Sequence, residues 1–240
     1  SVASILIFSG CDEAAILLPS EEKELPSLIG IITDANTKAA LDSVMISWYD
    51  DRDSDSLGVT SIYTDSTGRY SISNLKYGVY QFALSLSGYA NQIEVVSLNA
   101  TLYDESTSAT NVDDMIIEMR WENNVQMYAL DAGVTGTVYK ALNPGSTAFA
   151  DTATVMLQLS SSGGSYESTG VDPDVFFTTT NSTGVYSFAN LPSTAYANIS
   201  VLPHSDGANN YNYSNGWVTL YAGTTVTNAN ITVTLNQGVV

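Results

Sequence analysis

Apolar residues in this chain recur every second position in short runs, and no stretch shows the 3.6-residue apolar stripe of a helix. Leu28-Ile29-Gly30-Ile31-Ile32, Val44-Met45-Ile46-Ser47-Trp48 and the alternation Tyr80, Phe82, Leu84 are strand-length segments. Clusters of Gly, Asn, Asp and Ser separate them, which is the punctuation of turns between strands. The pattern predicts an all-β chain with very little helix.

The runs also repeat. Thr64-Asp65-Ser66-Thr67-Gly68-Arg69-Tyr70-Ser71-Ile72-Ser73-Asn74-Leu75 aligns with Thr180-Asn181-Ser182-Thr183-Gly184-Val185-Tyr186-Ser187-Phe188-Ala189-Asn190-Leu191, and eight of the twelve positions are identical. Tyr80 falls on Tyr196 at the same offset. Internal similarity of this kind marks a duplicated structural unit. Upstream, Val134-Thr135-Gly136-Thr137-Val138 parallels the run around Gly30, and Thr154 to Leu159 parallels Val44 to Trp48. Downstream, Ile93 to Val96 and Met115 to Met119 are expected to close the first copy, and Trp217 to Leu220 and Ile231 to Leu235 the second. About seven short strands per copy is the pattern of a β-sandwich. The expected organisation is an apolar extension over residues 1–26, a first sandwich over 27–124 and a second over 125–240.

With these motifs in view, the first copy resembles the carboxypeptidase regulatory-like, or transthyretin-like, domain family. The resemblance is carried by Gly30, Asp65, Gly68, Tyr70, Leu75, Gly78, Tyr80, Gly88 and Tyr89. The second copy keeps Gly136, Gly184, Tyr186, Leu191 and Tyr196, but has Thr194 where the first has Gly78 and lacks the Ser-Gly-Tyr signature. The resemblance implies two tandem seven-stranded immunoglobulin-like or transthyretin-like sandwiches. It also implies structural, adhesion or assembly roles without shared catalytic residues, so the chain is expected not to be an enzyme.

Charge narrows the partners. Lys and Arg number 7 against 25 Asp and Glu, a formal net charge of -18, and no Lys or Arg follows Lys140. Such a surface repels a phosphate backbone and an anionic membrane, which excludes nucleic acid as an expected partner. Neutral glycans and cations stay compatible. Single Cys and His residues, Cys11 and His204, leave no intrachain disulfide and no two-histidine metal site. No apolar run is long enough for a transmembrane helix. No cofactor is expected.

Calcium is the one candidate ion. Asp50, Asp51, Asp53 and Asp55 present spaced carboxylates, as a hard cation requires. Counted from Asp51, however, the EF-hand positions for Gly and Glu hold Ser56 and Ile62, and a solvated acidic hairpin tip is the preferred reading. The acids Asp104, Glu105, Asp113 and Asp114 are read the same way. His204-Ser205-Asp206 is a sequence adjacency, whereas a triad needs geometry. Candidate glycosylation acceptors are Asn99, Asn181, Asn198, Asn212 and Asn230, each in an Asn-x-Ser/Thr sequon. The stretch Tyr211 to Trp217 offers aromatic rings for sugar stacking or for a core strand.

Two apolar segments precede the first repeat, Val2 to Phe8 and Ala14 to Leu18. An apolar strand in water needs a cover, and addition to an open sheet edge supplies one. Val2, Ile5, Leu6, Ile7, Phe8, Ile16 and Leu17 are therefore candidate donor-strand residues, and a further copy of the chain is the expected acceptor. The leading expectation is a structural subunit of an extracellular or cell-surface filament, built head to tail by strand donation. The alternative starts from Ile7-Phe8-Ser9-Gly10-Cys11, which resembles a lipobox: lipidated at Cys11, the chain would be an anchored lipoprotein displaying two adhesion or glycan-binding modules. An inert, buried Cys11 is the remaining reading.

Overall fold

A computed structural model of the chain describes residues 27–49, 59–99, 102–103, 116–117, 120–143, 146–160, 170–193, 196–207 and 209–236. The candidate donor strand, Cys11 and the four acids from Asp50 to Asp55 lie outside these residues. Among the described residues every regular element is a strand.

The first half contributes β1 (Ser27–Asp34), β2 (Met45–Tyr49), β3 (Val59–Tyr63), β4 (Arg69–Ile72), β5 (Gly78–Ser85), β6 (Gln92–Leu98), β7 (Leu102–Tyr103), β8 (Ile116–Ile117), β9 (Arg120–Glu122) and β10 (Val125–Met127). The second contributes β11 (Leu130–Asn143), β12 (Ser146–Phe149), β13 (Thr154–Ser160), β14 (Val175–Thr179), β15 (Val185–Pro192) and β16 (Tyr196–Val201). It continues with β17 (His204–Ser205), β18 (Asn210–Tyr211), β19 (Ser214–Val218), β20 (Thr225–Val226) and β21 (Ile231–Thr234).

Each half is a sandwich of two sheets, ordered alike except that the second adds β12 beside β11. In the first, β1 lies between antiparallel β4 and the parallel pair β9 and β10, facing a sheet ordered β3-β2-β5-β6. In the second, β11 lies between β15 and the parallel pair β20 and β21, facing β14-β13-β16-β19. The repeat seen in sequence is thus a repeat of topology.

Burial follows the two-residue period. Along β1 every second residue is buried, which sends Leu28 and Ile32 into the first core with Ile46, Trp48, Phe82, Leu84 and Met127. The second core gathers Val134, Val138, Val155, Leu157, Ile199, Val201 and Val233.

Two expectations are corrected here. The strand that closes the first sandwich is β9 with β10, over 120–127, and not Met115 to Met119; Ile116 and Ile117 pair instead with Leu102 and Tyr103. The expected boundary at 124/125 also moves, because Val125 pairs with Ile32 and Val125 and Met127 are buried in the first core. The closing strand had to reach past residue 124 to fill the register beside β1.

Candidate interaction surfaces

The repeated motif proves to be a framework for turns and strand crossings. Asp65 and Asn181 each begin a tight turn: Oδ1 of Asp65 accepts from Thr67 N, Thr67 Oγ1 and Arg69 N, and Oδ1 of Asn181 from Thr183 N, Thr183 Oγ1 and Val185 N. Gly68 and Gly184 both take φ of 73°, which an L side chain rarely adopts. Those hydrogen bonds hold the Asp65 carboxyl below the ordinary carboxylate range, led by the Thr67 hydroxyl.

A second device appears twice. The Tyr70 hydroxyl donates to the Asn123 carbonyl at 2.7 Å, and the Tyr186 hydroxyl donates to the Ala229 carbonyl. At the same crossings Asn124 Oδ1 accepts from Ile31 N and Asn230 Oδ1 from Thr137 N. Burial pushes the Tyr70 phenol up to about 12, and the Tyr186 phenol is raised by burial as well. Sequence reading missed Asn124; setting Asn123-Asn124-Val125 against Ala229-Asn230-Ile231 would have found it.

The sequons separate by place. Asn99, Asn181, Asn212 and Asn230 are exposed, although Asn181 and Asn230 spend Oδ1 on backbone amides. Asn198 is corrected as an acceptor: it is fully buried, with Oδ1 accepting from Ser200 Oγ at 2.7 Å. A glycan could reach that amide only in an unfolded chain.

The aromatic stretch divides by strand alternation. Tyr211 is buried in the second core, whereas Tyr213, Asn215 and Trp217 point out of the sheet. Trp217 lies opposite Asn198, and the Tyr213 hydroxyl is 2.8 Å from Ser200 Oγ. His204, Ser205 and Asp206 form no triad: the His204 ring stacks on Tyr211, while Asp206 Oδ2 accepts from Lys140 Nζ at 3.0 Å and from the Tyr211 hydroxyl. Among the described residues no group of three or more His, Cys, Asp or Glu side chains could hold a metal ion. Among the described residues no helix is long and apolar enough to cross a membrane, a statement silent on β-barrels.

The most developed contact joins the two sandwiches. The connection from β5 to β6 carries Gly88, Tyr89 and Ala90. The Gly88 carbonyl accepts from Leu130 N at 2.8 Å, and Ala90 N donates to the Tyr128 carbonyl at 2.9 Å. Further along, Ile93 N donates to the Gly170 carbonyl and Asp172 N to the Asn91 carbonyl. Ala90 is buried in the second core, and Asn36 Nδ2 donates to Ser193 Oγ at 2.7 Å. Asp34 anchors this end of β1. It is buried, and burial pushes its carboxyl up. Donors from Thr37, Tyr89 and Asn36 outweigh that, so its pKa stands below the ordinary value.

No family model matches the chain, and no curated protein matches it. Among solved structures it is similar to the Bacillus anthracis TIE protein, at 11% identity and a TM-score of 0.33, over 88% of this chain and 34% of that one. It is similar to a streptococcal ancillary pilin at 16% identity and a TM-score of 0.40, over 87% of this chain and 63% of that one. With GBS52, the minor pilin of Streptococcus agalactiae, it shares 12% identity and a TM-score of 0.42, over 90% of this chain and 98% of that one. The chain thus spans about a third of the first protein and less than two thirds of the second. At these scores the likenesses carry no argument about function, and the all-β fold rests on the sheets described above.

Proposed function

We propose that the chain is a non-enzymatic structural subunit of an extracellular or cell-surface filament. The observation that carries this reading is the junction. Two sandwiches of one topology are fixed to each other by backbone hydrogen bonds and by Ala90 of the first inside the core of the second. Flexible display would need only a linker, whereas backbone pairing between modules suits a part that transmits load or keeps a spacing.

Assembly is assigned to the N-terminal apolar residues Val2, Ile5, Leu6, Ile7, Phe8, Ile16 and Leu17, donated as a strand to an open sheet edge of the next copy. The carboxypeptidase regulatory-like resemblance supports the same class of role. Calcium at Asp50 to Asp55 and glycans at the exposed sequons would be accessories to this role and are not needed for it.

Electron microscopy of the full chain and of a chain lacking residues 1–18 tests the reading. Filaments from the full chain and none from the truncation are expected; filaments from both, or from neither, overturn it. Intact mass of native material addresses the anchored alternative, because a lipidated Cys11 at the first position would remove Val2, Ile5, Leu6, Ile7 and Phe8 from the donor segment.

A further inference from the structure

The sheet β3-β2-β5-β6 has one face in the first core and the other in water. An antiparallel sheet so placed ordinarily turns polar residues outward. Here the outward positions include Tyr49, Val59, Tyr63, Val79, Ile93 and Val95, with exposures from 41% at Ile93 to 70% at Val59. Neither Asp, Glu, Lys nor Arg occupies an outward position on these four strands. The half-buried Glu94 has the opposite parity, beside inward Phe82. The other charges that the strands of this sandwich carry, Asp34, Arg69, Arg120 and Glu122, stand on the other sheet. The acids close to these strands in sequence include Asp50 to Asp55, which join β2 to β3 outside the described residues, and Asp65, which begins the turn after β3.

We propose that this face is a contact surface between two copies of the chain, packed sheet on sheet. The occupant follows from charge. Two molecules of net charge -18 repel, and they approach at least cost through faces that carry none of that charge. A basic partner would gain nothing from a face without carboxylates. A second copy brings the same neutral, apolar, gently twisted surface, and two such sheets stack about 10 Å apart at roughly 30°. Area agrees: at roughly 100 Å² for each half-exposed Tyr, Val or Ile, the patch is on the order of 600 Å². A stable contact takes about 800 Å² from each partner, and the Ser, Ala and Gln between these residues supply the difference. The surface deepens the filament reading by naming a lateral contact between copies, and it rests on that reading only for its place in an assembly.

Sedimentation velocity of the full chain over a hundredfold range of concentration tests it. The wild type should associate, and more strongly as salt screens the net charge. Val79→Glu with Val95→Glu places like charges opposite each other and should weaken association about 100-fold. Ser71→Glu, on the other sheet, should leave it unchanged. Val79→Thr with Val95→Thr keeps the branched shape and should weaken association by about tenfold, which covers the case of a glutamate variant that does not fold. A folded glutamate variant that associates like the wild type overturns the surface, as does a wild type that stays monomeric throughout. Filaments from the wild type, with wild type and glutamate variant associating equally in sedimentation, would overturn the surface and leave the filament reading standing. Dimers without filaments would do the reverse.

Discussion

Thr64 and Thr180 occupy one position in the two sandwiches, and both are buried. Thr64 Oγ1 accepts from Val44 N at 2.9 Å and donates to the Leu41 carbonyl at 2.7 Å. Thr180 Oγ1 accepts from Ala153 N at 2.9 Å and donates to the Ala150 carbonyl at 2.5 Å. Each hydroxyl therefore ties the loop before the second strand to the strand beside it. Thr64→Val keeps the shape and strands one buried N–H and one buried C=O. At about 1–3 kcal/mol for each unsatisfied group, the cost is about 3 kcal/mol. For a sandwich of this size that lowers Tm by about 12 °C or more. Thr64→Ser keeps both bonds and loses one methyl, about 1 kcal/mol. Urea unfolding followed by Trp fluorescence is the assay, because Trp48 is buried in the first core and Trp217 reports on the second sandwich. Thr64→Val should move the Trp48 transition and Thr180→Val the Trp217 transition. A Thr64→Val chain within about 0.5 kcal/mol of wild type would refute the argument, since surface-like tolerance is incompatible with a stranded buried pair.

Acid should loosen the junction. The Asp34 pKa is lowered in the folded chain, so its contribution is fully present above the unfolded value of about 3.9 and is lost as pH falls through the folded value. Tyr89→Phe removes one donor to that carboxylate and should cost about 1.5–3 kcal/mol near neutral pH, and less once Asp34 is protonated; equal cost by urea titration at both ends of the range contradicts this. Glycine substitutions should split sharply. A Cβ on Gly30 would stand 1.9 Å from the Asn123 carbonyl oxygen, so Gly30→Ala should cost about 3 kcal/mol or more, whereas Gly216, with nothing within 4 Å, should accept Ala at no loss by the same measurement.

What was legible in the sequence is what local chemistry dictates. The Asp65 and Asn181 turns, the glycines after them and the inward Tyr70 and Tyr186 follow from turn residues and a two-residue period, and they stand where the repeat placed them. The closing strand of the first sandwich was not legible, because β9 and β10 pair in parallel with a strand some ninety residues earlier. No local pattern reports such a partner. Asn198 escaped for a related reason. Alternation puts it on the outer side of its sheet, which predicts exposure, yet it is covered there and bonded to Ser200. Tyr89 was read as part of a family signature, and its hydrogen bond to Asp34 beside the junction needed the fold.

The two copies differ where their shared framework would let them connect. Ile32 and Val138 make the same bond to the glycine of the turn, Ile32 N to the Gly68 carbonyl and Val138 N to the Gly184 carbonyl, so Asp34 and Lys140 are equivalent positions. In the first copy Asp34 receives the Tyr89 hydroxyl, and the loop that carries Tyr89 docks onto the second sandwich. In the second copy the charge is reversed. Lys140 reaches Asp206, and the loop counterpart to Gly88 and Tyr89 folds into the β17–β18 hairpin, where Tyr211 also bonds Asp206. Among the described residues the second sandwich thus has a hairpin where the first has the loop that holds its neighbour, and this junction is not repeated there. In the filament reading, contact between chains therefore falls to other surfaces. The donated N-terminal segment and the uncharged face of β3-β2-β5-β6 are the two surfaces to which the inferences above assign that contact. Charge variants of that face, combined with removal of residues 1–18, separate the two: loss of lateral association alone isolates the face, and loss of filaments alone isolates the donated strand.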